Sequence, residues 1–212
     1  RFDRVVAVAD HGEGVPEVEA FKGASPMLVV GSSWPSDEAV LAPLIRQCTP
    51  HWKVVIAPHE TEPDRISDLV RALGVPSLKW SSLERDKQAT PAAAVLIIDH
   101  TGLLSRIYRY ADVAYIGGGF HTGIHNILEA AVFGVPVVFG PRHQKFREAL
   151  ALLEQGGAFA VDSTAALQRV FEQLERDAPA RHQAGVAAGN YVRVHQGATA
   201  QIVRALIPML EP

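Results

Sequence analysis

Apolar residues along this chain fall in short, nearly unbroken runs separated by stretches of helical period. The runs at 26–31 (PMLVVG), 52–57 (WKVVIA), 94–98 (AVLII), 113–116 (VAYI), 135–139 (VPVVF) and 158–161 (AFAV) are too continuous for strands with one wet face. They read as strands of a parallel sheet covered on both sides. Between them, segments 36–47, 62–73, 101–111, 123–132, 144–155 and 163–176, with a long closing stretch from 181 to 210, carry the spacing of helices. Regular alternation of the two predicts an α/β fold built on a doubly wound parallel sheet. No Ser/Gly linker, repeat or low-complexity segment interrupts the pattern, so residues 1–212 are expected to form one domain.

In a sheet of this kind a ligand lies beyond the carboxyl ends of the strands, which directs attention to the turns there. After the first run comes GSSWPSDE (31–38), where Ser36 is placed to cap a helix and Asp37 and Glu38 favour its positive end. After the second comes APHETEP (57–63), with His59 and Glu60 in a turn where packing requires neither, so His59 is a candidate site residue. After the third comes DHTGLL (99–104), in which Gly102 lets backbone approach a ligand closely and Asp99 or Thr101 can cap the next helix. A base or a ribose could rest against that turn.

The stretch 115–148, YIGGGFHTGIHNILEAAVFGVPVVFGPRHQKFRE, carries the strongest signal. Strand, glycine turn and helix start together make a ready anion site, because amide N–H groups and the positive helix end face one point. Gly117, Gly118 and Gly119 place no side chain between backbone and ligand, and Gly123 is expected to open a helix carrying His125, Asn126 and Glu129. Asn126 and Glu129, three apart, would share a face. A carboxylate there suits the vicinal hydroxyls of a ribose, or else caps its own helix. The glycines do not form G-x-G-x-x-G and no G-x-x-x-x-G-K-[ST] occurs, so neither NAD binding nor ATP hydrolysis is supported.

Composition narrows the partners. At 48% hydrophobic and 20% charged the chain reads as an ordinary soluble globular protein, and a net charge of −3 without charge blocks argues against nucleic acid and for small ligands. One cysteine, Cys48, excludes an internal disulfide framework, suits a reducing compartment and reads as a structural thiol. No apolar run approaches the roughly 18–20 residues of a membrane span, and no signal peptide precedes the first strand. A start at Arg1 rather than methionine suggests a part of something longer. The nine histidines are scattered, and the pairs His121/His125 and His59/His100 read as solvent or ligand contacts rather than metal ligands.

The glycine turn with GIHNILEAAVFGVPVVFGPRHQKFREA (123–149) resembles the nucleotide-sugar half of a two-domain, twin-Rossmann (GT-B) glycosyltransferase. Three further matches narrow the resemblance: Arg1-Phe2-Asp3, SSWPSDE, and APHE paired with DHTGLL. Together they are similar to the C-terminal domain of the 3-deoxy-D-manno-octulosonic acid (Kdo) transferases, the lipid A glycosylating enzymes of Gram-negative bacteria. The resemblance covers essentially the whole chain. It implies a single Rossmann-like sheet and puts the family's cytidine-binding pair on Pro58 and His59, its Gly-x-Leu turn on Gly102, Leu103 and Leu104, and its Asn-x-Leu-Glu segment on Asn126, Ile127, Leu128 and Glu129. Gly118 and Gly119 join the donor site, and the basic residue thought to steady the departing phosphate falls on Arg1. Many members instead have serine at Gly119, Gly-His at Ile124-His125, and histidine then asparagine around 142–145.

The resemblance further implies CMP-Kdo or CMP as ligand, a lipid A precursor as acceptor, and neither metal nor cofactor. The acceptor domain, with its glutamate base and membrane-associating region, would lie outside this chain. The intact enzyme would then sit on the cytoplasmic face of the inner membrane, while this fragment would be soluble and inactive alone. The run 190–206 is expected either to return toward that partner domain or to serve as an ordinary closing helix. Two other readings share these features: a UDP-sugar transferase or UDP-sugar epimerase domain, and a free-standing nucleotide-sensing module.

Overall fold

The computed structural model describes residues 1–49, 51–85, 93–199, 203–204 and 206. Seven parallel strands form one sheet: β1 (Met27–Ser33), β2 (Lys53–Pro58), β3 (Ser77–Lys79), β4 (Val95–Ile97), β5 (Val113–Ile116), β6 (Val137–Phe139) and β7 (Ala158–Ala160). Their order across the sheet is β3-β4-β2-β1-β5-β6-β7. The chain builds outward from β1 to one side, then crosses to β5 and builds to the other, so the topological switch lies between β1 and β5. This is the doubly wound α/β architecture that the alternating pattern predicts.

Alternation along each strand explains why the runs are continuously apolar. Val29, Val55, Leu96, Ala114 and Val137 enter one core, while Leu28, Val30, Val54, Ile56, Val95, Ile97, Val113, Tyr115 and Val138 enter the other. The inner strands therefore need hydrophobic residues at successive positions, while the edge strand β3 (Ser77-Leu78-Lys79) does not. The second core is closed by α3 (Pro35–Cys48), α4 (Pro63–Leu73) and α9 (Thr164–Arg176). Trp52 seals its lower edge against Phe171 at 4.8 Å and donates to Glu175 at 2.7 Å. Cys48 is buried there, and burial pushes its thiol up to about 12, so it is a packing group, as its sequence context suggests.

The first core is closed by α8 (Arg147–Glu154), α10 (Ala178–Val194) and two N-terminal helices absent from the sequence reading, α1 (Phe2–His11) and α2 (Pro16–Lys22). Helix α1 buries Val5 and Val6 and is fastened to α10 and the segment after it. Phe2 packs on Tyr191 and His195, Arg193 pairs with Asp10 at 2.9 Å, and the Gly197 and Thr199 amides donate to Asp3. Those amides hold the Asp3 carboxyl at about 2. The expected closing helix is α10 plus a few residues; of 181–210, positions 200–202, 205 and 207–210 lie outside the described residues. Among the described residues no helix is long and apolar enough to cross a membrane.

Two helices are shorter than their patterns suggest. The stretch 101–111 holds α6 (Leu104–Ile107) and a 3-10 turn (Tyr108–Tyr110), with the Arg106 side chain reaching out to the Glu13 and Gly14 carbonyls. The stretch 123–132 holds only α7 (Leu128–Ala131), and its first residues are drawn into loop bonds instead. The amides of Gly123, Ile124 and His125 donate to the carbonyls of Gly118, Arg142 and Gly117, and Gly123 has φ +150°, far from helical, so no helix begins there.

Candidate functional site at the topological switch

Strand β1 ends in a register shift between Gly31 and Ser33, with Ser32 in a left-handed conformation at φ 55°. The kink aims Trp34 across the carboxyl edge before α3 begins. Just inside α3 lies Asp37, fully buried, whose carboxylate accepts from four donors: Trp34 N at 3.0 Å, Gly118 N at 2.8 Å, Phe120 N at 3.2 Å and the Tyr115 hydroxyl at 3.1 Å. Burial, with Asp37 beside it, pushes the Tyr115 phenol far up, so that hydroxyl stays a neutral donor. Ser36, expected as the cap, instead leaves its hydroxyl buried without a partner. Glu38, next along, accepts from Ser33 at 2.9 Å and grips Arg65 of α4 at 2.5 Å. The two acidic residues of SSWPSDE thus lock the turn after β1 to the glycine turn on one side and to α4 on the other.

The glycines are spent on backbone contact. A Cβ on Gly117 would stand 2.2 Å from the Ser32 carbonyl oxygen, and one on Gly119 would stand 2.5 Å from Gly140. Gly118 has φ +89°, which excludes a side chain on conformational grounds as well. All three are buried. The expected open amides therefore correct to a packed turn in which Gly118 and Phe120 already hold a carboxylate.

The open ground is on the other side of the switch. Pro58, His59, Gly102 and Leu104 line one cleft of about 270 Å³ with Ser32, Thr61, Ile98 and His100, just under the usual range for small-ligand sites. A Cβ on Gly102 would meet nothing within 4 Å, and its φ of +100° lets the chain turn there, so backbone is bare to the cleft as expected. Leu103 caps α6 and is partly buried against the first core. Asp99 does not cap that helix: it accepts from the amide and hydroxyl of Ser81, at 2.9 and 2.5 Å, and so starts α5 (Trp80–Arg85).

Glu129 borders a second, much smaller cleft, of about 40 Å³, with Arg4, Val5, Val8, Ser105 and Phe133. Leu104 lines the first cleft and Ser105 the second, so α6 borders both. Asn126 donates to Glu129 at 2.9 Å and accepts from the Leu128 amide at 3.3 Å, which fixes the carboxylate's direction. Ile127 and Leu128 are core residues, so their place in the segment is to anchor it. Arg1 is exposed, paired with Glu148 of α8 at 3.1 Å; Arg4, three residues on, is the basic side chain beside Glu129.

Between the glycine turn and the larger cleft stands a group that sequence reasoning did not assemble. The Trp34 indole lies between His59 and His121, with ring centroids 4.4 Å from each, and His125 stacks on His59 at 4.7 Å. Trp34 Nε1 donates to His125 Nε2 at 3.0 Å. Burial and the neighbouring His59 hold the His125 imidazole below the usual histidine range. The only local signal was an aromatic residue in a turn directly after a strand. Among the described residues no three His, Cys, Asp or Glu side chains are disposed to hold a metal ion.

No protein-family model matches this chain. Among curated proteins it is 33% identical over 141 residues to a 3-deoxy-D-manno-octulosonic acid transferase of Chlamydophila psittaci, covering 65% of this chain and 32% of that one. It is 30% identical over 200 residues to the enzyme of the same name from Bordetella pertussis, covering 88% and 46%. The chain thus spans between a third and a half of the length of these relatives. Among solved structures, the C-terminal CMP-Kdo binding domain of WaaA from Acinetobacter baumannii superposes with a TM-score of 0.69 at 20% identity, covering 91% of this chain and 97% of that one. This chain is therefore a relative of the 3-deoxy-D-manno-octulosonic acid transferases, with the Rossmann-like fold of the C-terminal half of a GT-B glycosyltransferase.

Proposed function

We propose that this domain holds the CMP-Kdo donor of a Kdo transferase that glycosylates a lipid A precursor. The observation that carries the reading is the open cleft at the topological switch, where Pro58, His59, Gly102 and Leu104 meet although the sequence scatters them over 47 positions. A cytosine would lie against Pro58 and His59, and its ribose against the bare backbone of Gly102. Glu129, aimed by Asn126, is placed beyond α6 for hydroxyls of the ribose or of the Kdo sugar.

Transfer needs a base to take the acceptor proton and a positive environment for the leaving CMP. This domain supplies donor binding, and the base comes from the acceptor domain of the transferase. The domain alone is expected to bind CMP without turnover, and the intact enzyme to work at the cytoplasmic face of the inner membrane. Kdo transfer to a radiolabelled lipid A precursor by this chain alone would overturn the first of these.

Thermal unfolding with CMP, CDP, UDP and UDP-N-acetylglucosamine tests the ligand class. At 100 times the dissociation constant a ligand adds about 2.7 kcal/mol to the folded state. Stabilisation by CMP that is lost in Glu129→Ala supports the proposal. Stabilisation by the UDP compounds alone transfers the reading to a UDP-sugar enzyme.

A further inference from the structure

The glycine turn is poorly placed to take the donor phosphate, because the Gly118 and Phe120 amides are already bonded to the Asp37 carboxylate. A phosphate set beside that carboxylate would be repelled by it. Cationic capacity at the switch resides instead in imidazoles. His59, His121 and His125 converge on Trp34, and the Nδ1 of His121 is buried without a partner. His125 accepts the Trp34 Nε1 proton on its Nε2, so in this state it is neutral, with its own proton on Nδ1. We infer that this imidazole cluster, rather than the glycine turn, receives the nucleotide phosphate, and that phosphate binding draws a proton onto it. The inference rests on the nucleotide-binding reading above.

The physical reason is that the three rings lack a counterion. His59 stacks on His125 and, with His121 nearby, opposes its protonation. The charged and titratable groups that face His125 are few: His59 from the end of β2, His121 from the glycine turn, and Asp37 from α3. Asp37 favours the charged form, but its oxygens are engaged by four donors. Further out, Arg142 bonds the His121 carbonyl and Glu60 is held near Arg65 at 3.9 Å. A phosphate provides the missing negative charge. Its oxygens can accept the Trp34 Nε1 proton that His125 now accepts, which frees His125 Nε2 to be protonated and donate in turn.

Proton affinity is thereby higher in the bound state. Phosphate affinity is then greatest at low pH and weakens as pH rises through the bound-state value, by up to about tenfold per pH unit for one proton. The phosphate's own second ionisation near pH 6 works in the opposite sense, so the measurement begins at about pH 6.5.

Isothermal titration with CMP and with cytidine, from about pH 6.5 to 8.5 and in buffers of different ionisation enthalpy, tests this on the chain as it stands. The expected result is net proton uptake with CMP but not with cytidine, a CMP affinity that falls with pH, and a flattened slope in His121→Gln or His125→Gln. Parallel pH profiles for CMP and cytidine, or a CMP slope retained in both variants, would overturn the inference while leaving nucleotide binding intact. If the variants do not fold, proton uptake by the unaltered chain decides. If UMP binds and CMP does not, the cytidine assignment fails and UMP against uridine decides the phosphate question; if no nucleotide binds, both fall.

Discussion

On the β5 side of the switch, three glycines are buried against backbone and two of the turn's amides are committed to Asp37, whereas on the β2 and β4 side His59 is exposed and Gly102 faces open space. Both regions are glycine-bearing turns at the carboxyl ends of parallel strands, yet one is interior and the other is surface. A glycine in such a turn serves whichever neighbour comes closest. Where β1 kinks toward β5 that neighbour is protein; where β4 ends without a crossing chain it is solvent or a ligand. The contrast divides labour: the packed side fixes the positions of His121 and His125, and the open side is where the ligand is proposed to bind.

The largest effect is expected from breaking the packed side at its centre. Asp37→Ala removes the acceptor of four donors, two of them backbone amides in the glycine turn. Each buried donor left unpaired costs about 1–3 kcal/mol, less whatever water recovers, so a loss of about 3–5 kcal/mol is expected in urea unfolding. Nucleotide affinity should fall with it, since His121 and His125 depend on the same turn. Unfolding at the wild-type urea midpoint would mean that the turn stands without Asp37. Glu38→Gln is expected to cost somewhat less, about 3 kcal/mol, by leaving Arg65, whose side chain is 14% exposed, with a neutral partner there and only the more distant Glu60, at 3.9 Å, as a charged one.

A matched pair of alanines separates the two sides directly. In Gly119→Ala the new methyl meets Gly140 backbone at 2.5 Å, and backbone cannot rotate away, so about 2–3 kcal/mol of stability should be lost. In Gly102→Ala the methyl meets nothing, and the cost is confined to the strain of φ +100°, about 1 kcal/mol. The methyl would nevertheless project into the cleft, so the second variant should lose more CMP affinity per unit of stability than the first. Comparing thermal midpoints with binding constants for both variants checks the division; equal ratios would erase it.

Six strands were legible because each feeds two cores and so is mostly apolar, whereas β3, Ser77-Leu78-Lys79 and only partly buried, carries no such run and is absent from the sequence reading. The packed turn was not legible, because glycines that admit a ligand and glycines that admit a crossing strand look alike in sequence. Only the bond from Gly118 N to Asp37, across 81 positions, distinguishes them. Helix α7 was overread for a related reason: 123–127 has helical spacing, but Gly123 takes φ +150° and 123–125 are tied into the loop by the carbonyls of Gly118, Arg142 and Gly117. Helix α1 was missed because its two buried valines make sense only against α10, whose position the sequence does not announce. By contrast His59 and Gly102 stand out in the sequence, since a polar or bare turn after a buried strand has no packing task to perform, whereas Pro58 enters only through the family resemblance.

The smallest effect on stability, and the sharpest use of the comparison, comes from His59→Ala. The side chain is exposed and its contacts are ring faces on Trp34 and His125, with no buried hydrogen bond at stake. Its removal should leave the unfolding free energy within about 0.5 kcal/mol of the parent. Loss of one stacking partner for a base is worth about 1–3 kcal/mol, so CMP affinity should fall by roughly tenfold to a hundredfold. Removing the imidazole stacked on His125 also relieves that ring, so His125 should titrate at higher pH in the variant than in the parent, observable in its ring proton resonances. Unaltered CMP affinity together with a shifted His125 would separate the two roles, leaving His59 as an electrostatic neighbour of the cluster and moving the base to the Gly102 side of the cleft.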